Sequence, residues 1–282
     1  LKITNILITG GAGYIGSHIT ELLIKDKSNK VIILDNLITG HKILINKKVK
    51  FIKADIKDKK KLSKIIKEYK INSIIHLAAH LNVSEAEKNK NKYYKNNVIG
   101  TKNLLESIAG LKKKPWLFYA STSHVYKEKK KPLSETDDIS PKTLYGYTKW
   151  MGEKLTAYYC PDNNIPYCAG RIFSFYSDSQ SNDYLFPSIK KKLKESLNKK
   201  SVYVINAYCE IDIQKAEDVV NIILKLFKKK AEGIVNIATG KGIEIKSFVK
   251  KLSKKKIIIK TNTKKKTFSI ADIKKLKSII AK

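Results

Sequence analysis

In the stretch "LYGYTKWMGEKL" (144–155) a tyrosine, Tyr145, stands four residues before a lysine, Lys149. That spacing puts both side chains on one face of a helix, one turn apart. The pair could do proton chemistry. A phenol titrates near pH 10 and is a poor base at neutral pH, but a neighbouring ammonium favours the phenolate. Taken alone the pair is ambiguous, because the chain has 15 tyrosines and lysine is abundant. A packing tyrosine beside a surface lysine would give the same spacing.

A second constellation is less ambiguous. "ITGGAGYIGSH" (8–18) sets Gly10, Gly13 and Gly16 at the junction of an apolar strand and an amphipathic helix. Without Cβ atoms such a turn lets backbone approach a pyrophosphate, whose charge the helix N-terminus stabilises. The residues that would line the turn are Gly10, Gly13, Tyr14, Ile15 and Gly16. Asp35 closes the next strand, where a carboxylate can accept hydrogen bonds from both ribose hydroxyls. An ordinary strand–helix turn does not explain that aspartate. Asn36 follows it, where a 2′-phosphate would call for a basic residue, so the expected cofactor is NAD rather than NADP.

The elements that must position these residues follow from the apolar pattern. Strands are expected at 3–10, 30–35, 49–55, 71–79, 115–122 and 165–173, with helices at 13–26, 59–69, 92–109 and 143–159. Continuous apolar strands alternating with helices imply an α/β fold, a doubly wound parallel sheet of Rossmann type. Beyond Arg171 the rhythm changes. A polar loop at 174–183 precedes helices near 185–197 and 215–227 and short strands at 201–205 and 233–239. The expected division is a dinucleotide-binding domain over 1–172 and a smaller C-terminal substrate-binding lobe over 173–282, interleaved with the first.

Composition narrows the class. The chain has 282 residues, 42% hydrophobic and 29% charged, which is globular. The net charge of +33 points on its face to a nucleic-acid partner. However, Arg171 is the only arginine, and base- and phosphate-reading surfaces rely on arginine forks. Lys, Ile and Asn share AT-rich codons, so the lysine excess reads as a solvated surface with no nucleic acid bound. Cys160, Cys168 and Cys209 form no metal-ligand spacing, so no metal is expected and the thiols are read as reduced. No apolar run reaches bilayer length, so no membrane is expected. "LKITNILITGG" opens directly into a strand, and a cytoplasmic location is expected.

The motifs together resemble the extended short-chain dehydrogenase/reductase family. They are TGGxGxxG, "LD" at 34–35, Ala54-Asp55, "HLAA" (76–79), "NNVIGT" (96–101), "ST" at 121–122, YxxxK and "NIATGKG" (236–242). The nucleotide-sugar branch, which includes UDP-galactose 4-epimerase and dTDP-glucose 4,6-dehydratase, is the most similar. The resemblance implies that Asp55 and Ile56 flank adenine and that Leu77, Ala78 and Ala79 line the cofactor groove. It places Asn97 behind the nicotinamide half, with Phe173 near the nicotinamide and Ser174 and Tyr184 near the sugar. Thr122, Tyr145 and Lys149 become the catalytic set. Tyr145 takes a proton from a sugar hydroxyl, Thr122 orients that oxygen, and Lys149 also holds the nicotinamide ribose.

The same resemblance bears on the reaction. Dehydratases carry an Asp-Glu pair after the Thr, and here Ser123 and His124 stand there, which disfavours dehydration. His124 either transfers a proton at the sugar, or only contacts the substrate or packs. "EIDIQKAEDVV" (210–220) keeps Asp212 and Asp218 but has Ile211 where relatives place a diphosphate-binding arginine. The expected activity is an NAD-dependent 4-epimerase acting on a nucleotide sugar through a 4-keto intermediate. The alternatives are a 4-keto-sugar reductase and a non-catalytic dinucleotide-binding protein. A homodimer through the helices near 92–109 and 143–159 is implied by family analogy.

Overall fold

The computed structural model describes residues 3–177, 185–195, 201–253 and 257–281. Chain order runs β1 (Thr4–Thr9), α1 (Tyr14–Leu23), β2 (Asn29–Asp35), β3 (Lys50–Lys53), α2 (Lys59–Glu68), β4 (Ser73–His76) and α3 (Val83–Lys88). There follow α4 (Lys90–Tyr93), a π-helical turn (Tyr94–Ile99), α5 (Gly100–Ala109), β5 (Trp116–Thr122), α6 (Leu144–Asp162) and β6 (Tyr167–Ile172). The remainder comprises β7 (Ser174–Tyr176), α7 (Leu185–Glu195), β8 (Ser201–Tyr203), β9 (Glu210–Lys215), α8 (Ala216–Lys229) and β10 (Gly233–Ile237). It ends with β11 (Gly242–Glu244), α9 (Ile245–Leu252), β12 (Ile258–Lys260), β13 (Phe268–Ser269) and α10 (Lys274–Ala281).

Seven strands form one parallel sheet in the order β10-β6-β5-β4-β1-β2-β3. Its two faces can be read off β1. Ile6 and Ile8 pack with Ile19 of α1 and Val219, Val220 and Ile223 of α8. Leu7, between them, packs on the other side with Leu62 and Ile66 of α2 and Leu104 and Leu105 of α5. Side chains alternate along a strand, so a continuous apolar run is what a sheet covered on both faces requires. Each of these side chains contributes about 1.5–3 kcal/mol by leaving water. The strand order reverses between β1 and β4, which opens a crevice above the C-terminal strand ends.

The second half departs from its expected form in places. The segment read as a polar loop from 174 begins as strand β7, which pairs parallel with β9. β9 also pairs with β11 and β13, making a small second sheet, and β8 pairs with β12. β10 crosses back to extend the main sheet beside β6. The expected helix over 92–109 is instead two α-helices joined by the π-helical turn.

The junction of β5, β6 and α6 is held by buried charge. Arg171 of β6 reaches Glu153 of α6 through Nη2–Oε1 at 2.6 Å and Nε–Oε2 at 3.1 Å, and both side chains are 3% exposed. Ser121 Oγ of β5 donates to Glu153 Oε2 at 2.6 Å, and Arg171 Nη1 donates to the Glu135 carbonyl at 3.1 Å. The guanidinium therefore has a structural role inside the protein. Removing one partner from such a pair strands the other charge and costs about 3–5 kcal/mol, whereas an apolar replacement of both can be neutral. Glu153→Gln should thus lower unfolding free energy in a denaturant titration by about that amount. The double variant Arg171→Met with Glu153→Leu should lose less than Glu153→Gln alone. A Glu153→Gln loss below about 1 kcal/mol, the usual worth of an exposed pair, would contradict this.

Candidate active site

The groove over the β1–β4 crevice is built from backbone. It is lined by Gly10, Gly13, Tyr14, Ile15 and Gly16 on one side and by Leu77, Ala78 and Ala79 on the other. Gly10 has φ 73°, and a Cβ there would lie 2.7 Å from the Ala78 nitrogen. A Cβ on Gly16 would lie 2.6 Å from the Gly10 carbonyl oxygen, so the turn cannot tighten this far with any other residue. α1 starts immediately after Gly13 and carries no acidic residue in its first turn. The dipole of that helix start therefore presents positive potential to the groove with no acidic side chain to offset it.

Asp35 stands at the end of β2, 7% exposed, with each oxygen already oriented by backbone. Ala12 N–H donates to Oδ2 at 3.0 Å and Leu37 N–H to Oδ1 at 2.8 Å. Each oxygen keeps a lone pair for a hydroxyl donor. Asn36 Nδ2 donates to Asp55 Oδ2 at 3.1 Å, which ties the rims at β2 and β3 together. Ile56, buried at 2%, lines the floor. The groove thus offers an anion cradle, a diol acceptor and an apolar slot in that order, and these fit a dinucleotide.

The second constellation lies where β5 meets α6. Thr122 ends β5 with its Oγ1 accepting from the His124 N–H, and Ser123–Val125 form a 3₁₀ turn. Thr143 caps α6 by accepting from the Gly146 N–H at 3.1 Å. A Cβ on Gly146 would meet the His124 carbonyl oxygen at 2.6 Å, so the helix start sits directly on the turn. The Tyr145 and His124 rings meet edge to face at 5.6 Å. Tyr145 is 8% and Lys149 4% exposed. Neither is a surface residue, which removes the surface-lysine alternative for Lys149.

Burial dominates the electrostatics. It drives Lys149 down to about 7, opposed by the charge of Glu153 one turn along α6. His124 is lowered by desolvation as well, so burial disfavours its imidazolium form. His76 sits below Lys149 and is pushed down to about 3, first by burial and then by the Lys149 charge. The Thr101 hydroxyl donates to the Asn97 carbonyl at 2.7 Å, so His76 Nε2–H donates to Thr101 Oγ1 and Nδ1 accepts from Thr9.

Other expected residues are placed as follows. Asn97 is fully buried, with Nδ2 donating to the His80 carbonyl and to Thr148 Oγ1 and Oδ1 accepting the His80 N–H. It pins the π-helical turn, the segment after β4 and α6 to one another. Phe173 is 2% exposed among Val125, Tyr126 and Leu133, and the groove is lined instead by Phe175, two residues along. Ser174 opens β7, half-buried. Tyr184 lies outside the described residues. Ile211 is buried with Val202, Val204 and Ile245, and Asp212 accepts from Thr239 and Gly240 N–H, so this segment packs the lobe.

The residues passed over in the sequence are the loop Thr39-Gly40-His41 over the groove, and Tyr119 and Glu153 beneath Lys149. Gly40 was the available signal for the loop, since a Cβ there would strike Asp35 Oδ1 at 2.8 Å. Among the described residues no helix is long and apolar enough to cross a membrane.

Known proteins are similar to this chain in sequence and in fold. The UDP-glucose 4-epimerase of Lactobacillus helveticus is 37% identical over 195 residues, 66% of this chain and 59% of that one. The chain spans a little over half the length of the curated 4-epimerases it matches. The crystal structure of Bacillus cereus UDP-glucuronic acid 4-epimerase with UDP-glucuronic acid and NAD superposes with a TM-score of 0.85. It is 28% identical, over 99% of this chain and 93% of that one. The Thermus thermophilus UDP-glucose 4-epimerase complex with NAD gives a TM-score of 0.83 at 25% identity, over 98% and 92%. The family model described as GDP-mannose 4,6 dehydratase matches residues 7–280, and with Gly10, Gly13, Gly16, Asp35, Tyr145 and Lys149 all in place the chain belongs to that family of extended short-chain dehydrogenase/reductases.

Proposed function

We propose that the chain is an NAD-dependent nucleotide-sugar 4-epimerase working through a 4-keto intermediate. The observation that carries this reading is a buried Tyr145–Lys149 pair on α6, packed against the turn after β5, in a chain that also holds a groove shaped for a dinucleotide. The glycine turn and the start of α1 would hold the pyrophosphate, Asp35 and Asn36 the adenosine ribose, and Asp55 and Ile56 the adenine. Leu77, Ala78 and Ala79 would form the opposite wall. Asn97 would stand behind the nicotinamide, with Phe175 beside it in place of Phe173. Similar proteins whose structures contain NAD and a UDP-sugar support both ligands.

NAD held in the groove would supply a hydride acceptor and, once reduced, a hydride donor. The protein handles the proton and the orientation. Tyr145 Oη takes the proton of the sugar 4-hydroxyl and gives it back, so one group serves as base and then as acid. Thr122 Oγ1 hydrogen-bonds the same oxygen and aligns it. The Lys149 ammonium favours phenolate over phenol at Tyr145. His124, its imidazolium disfavoured by burial, packs on the Tyr145 ring and would contact the substrate rather than act as a second acid. Ser123 and His124 in place of an acidic pair separate this site from the dehydratases. Ser174 and Tyr184 would meet the sugar, with residues 173–282 forming the substrate lobe apart from β10 and its flanking helices. A cytoplasmic homodimer packing through α5 and α6 belongs to the same reading, and light scattering that returned a monomer mass would remove the dimer.

Three outcomes are expected. Purified protein should interconvert a UDP-sugar and its 4-epimer with no reduced cofactor added, whereas stoichiometric consumption of NADH or NADPH would mark a reductase. Tyr145→Phe should lower turnover by about 10²–10⁴-fold with NAD affinity nearly unchanged. A variant keeping a tenth of the wild-type rate would exclude Tyr145 as the base. Asp35→Ala should weaken NAD binding in a calorimetric titration, and an unchanged dissociation constant would remove its ribose role.

A further inference from the structure

We propose that Tyr119 is a positioning residue for this chemistry, its π face holding the Lys149 side chain charged and aimed beside Tyr145. The inference rests on the Tyr145–Lys149 reading above. Lys149 Nζ lies over the Tyr119 ring, 4.4 Å from its centroid. The Tyr119 hydroxyl donates to the backbone carbonyl of Lys149 itself at 3.0 Å, so the ring is locked to the helical turn whose ammonium it faces. Gly152 makes the approach possible, since a Cβ there would fall inside contact distance of that hydroxyl. The ring has little freedom to move, being fully buried on β5 with the His76 ring 5.9 Å away.

The charged and titratable groups around the amine explain why a ring serves better than a carboxylate. On α6 they are Glu153 and Tyr145, and β4 contributes neutral His76. β6 contributes Arg171, whose two-pronged grip on Glu153 already balances most of that carboxylate's charge. The turn after β5 contributes neutral His124, packed on Tyr145. Lys149 is therefore short of a counter-ion in a desolvated place, and its pKa is correspondingly low. A second carboxylate would restore the ammonium but repel the phenolate that Tyr145 must form. A ring face offers negative potential without net charge, so it favours ammonium and opposes phenolate little.

The test reads the amine directly. The Lys149 ¹³Cε resonance, identified by its loss in Lys149→Met, is titrated in the NAD-loaded protein, and the pH dependence of epimerisation is measured alongside. Tyr119→Leu should lower the Lys149 midpoint by about one pH unit and draw the alkaline limb of the rate profile down with it, as expected for a buried cation–π contact. Tyr119→Phe keeps the ring and should titrate within about 0.3 units of wild type. Should Tyr119→Leu fail to fold, a ring-fluorinated phenylalanine at 119, compared with phenylalanine there, keeps the shape, weakens the π face and should lower the midpoint. Equal midpoints for wild type and Tyr119→Leu, or a Tyr119→Phe shift as large as the Leu shift, would overturn the role of the ring. A midpoint that moves while the rate profile stays still would keep the ring's hold on the amine and overturn the catalytic pair instead.

Discussion

A lysine amine placed in the protein interior, 4% exposed, sets the terms for the rest of the site. Desolvation favours its neutral form, and the groups that set its surroundings must be held in place by elements far apart in sequence. β5 brings Tyr119, α6 brings Glu153 one turn beyond the amine, β6 brings Arg171, and Ser121 closes the network. None of these contacts adds much net stability alone, since a buried ion pair roughly balances its own desolvation. Their joint effect is geometric. They set the depth and rotation of α6 against the sheet and so decide where the Tyr145 hydroxyl can point.

The groove solves the opposite problem by different means. A pyrophosphate is a strong anion, yet among the described residues no lysine lines the cradle proposed for it, although lysines dominate the surface. Backbone N–H groups at the start of α1 would face it, and the absence of acid from that first turn leaves their potential intact. Fixed dipoles cost no side-chain entropy when the ligand binds, whereas long lysine side chains would. The carboxylate of Asp35 likewise arrives pre-oriented by two backbone donors.

These differences in means explain what the sequence disclosed. The glycine turn, the strand alternation and Asp35 are local patterns, because backbone conformation and burial on both sheet faces constrain neighbours along the chain. The roles of Tyr119 and Glu153 are tertiary. Nothing in "LFYAST" marks the tyrosine as the floor beneath a lysine thirty residues on, and only Gly152 hints at a close approach. Phe173 and Phe175 show the same limit at finer grain. They stand two apart on a segment that bends between β6 and β7, so one packs into the core and the other meets the groove. The small second sheet is not legible in the sequence because β11 and β13 are three and two residues long, too short for a periodicity. Ile211 reads as a departure from relatives in sequence and as a core residue in the fold, and both statements hold at once.

The single arginine completes this logic. Lysine serves on a solvated face, where a flexible, strongly hydrated ammonium costs little, and that is where most of the charge of +33 resides. At Glu153 the requirement is different: two parallel hydrogen bonds to one carboxylate, a third donor for the Glu135 carbonyl, and a face against the Tyr126 ring, with its guanidinium carbon 4.6 Å from the centroid. A lysine has three donors on one atom and no planar fork, so it could meet one of these demands and would leave others unpaired in the interior. The guanidinium also binds its proton too tightly to be lost on burial, and here Glu153 raises its pKa further. A lysine at 171 would compete with Lys149 for the same carboxylate and risk losing its own proton. The chain thus uses a permanently charged group to hold the carboxylate, which leaves Lys149 as an amine in this site whose protonation answers to its surroundings near neutral pH.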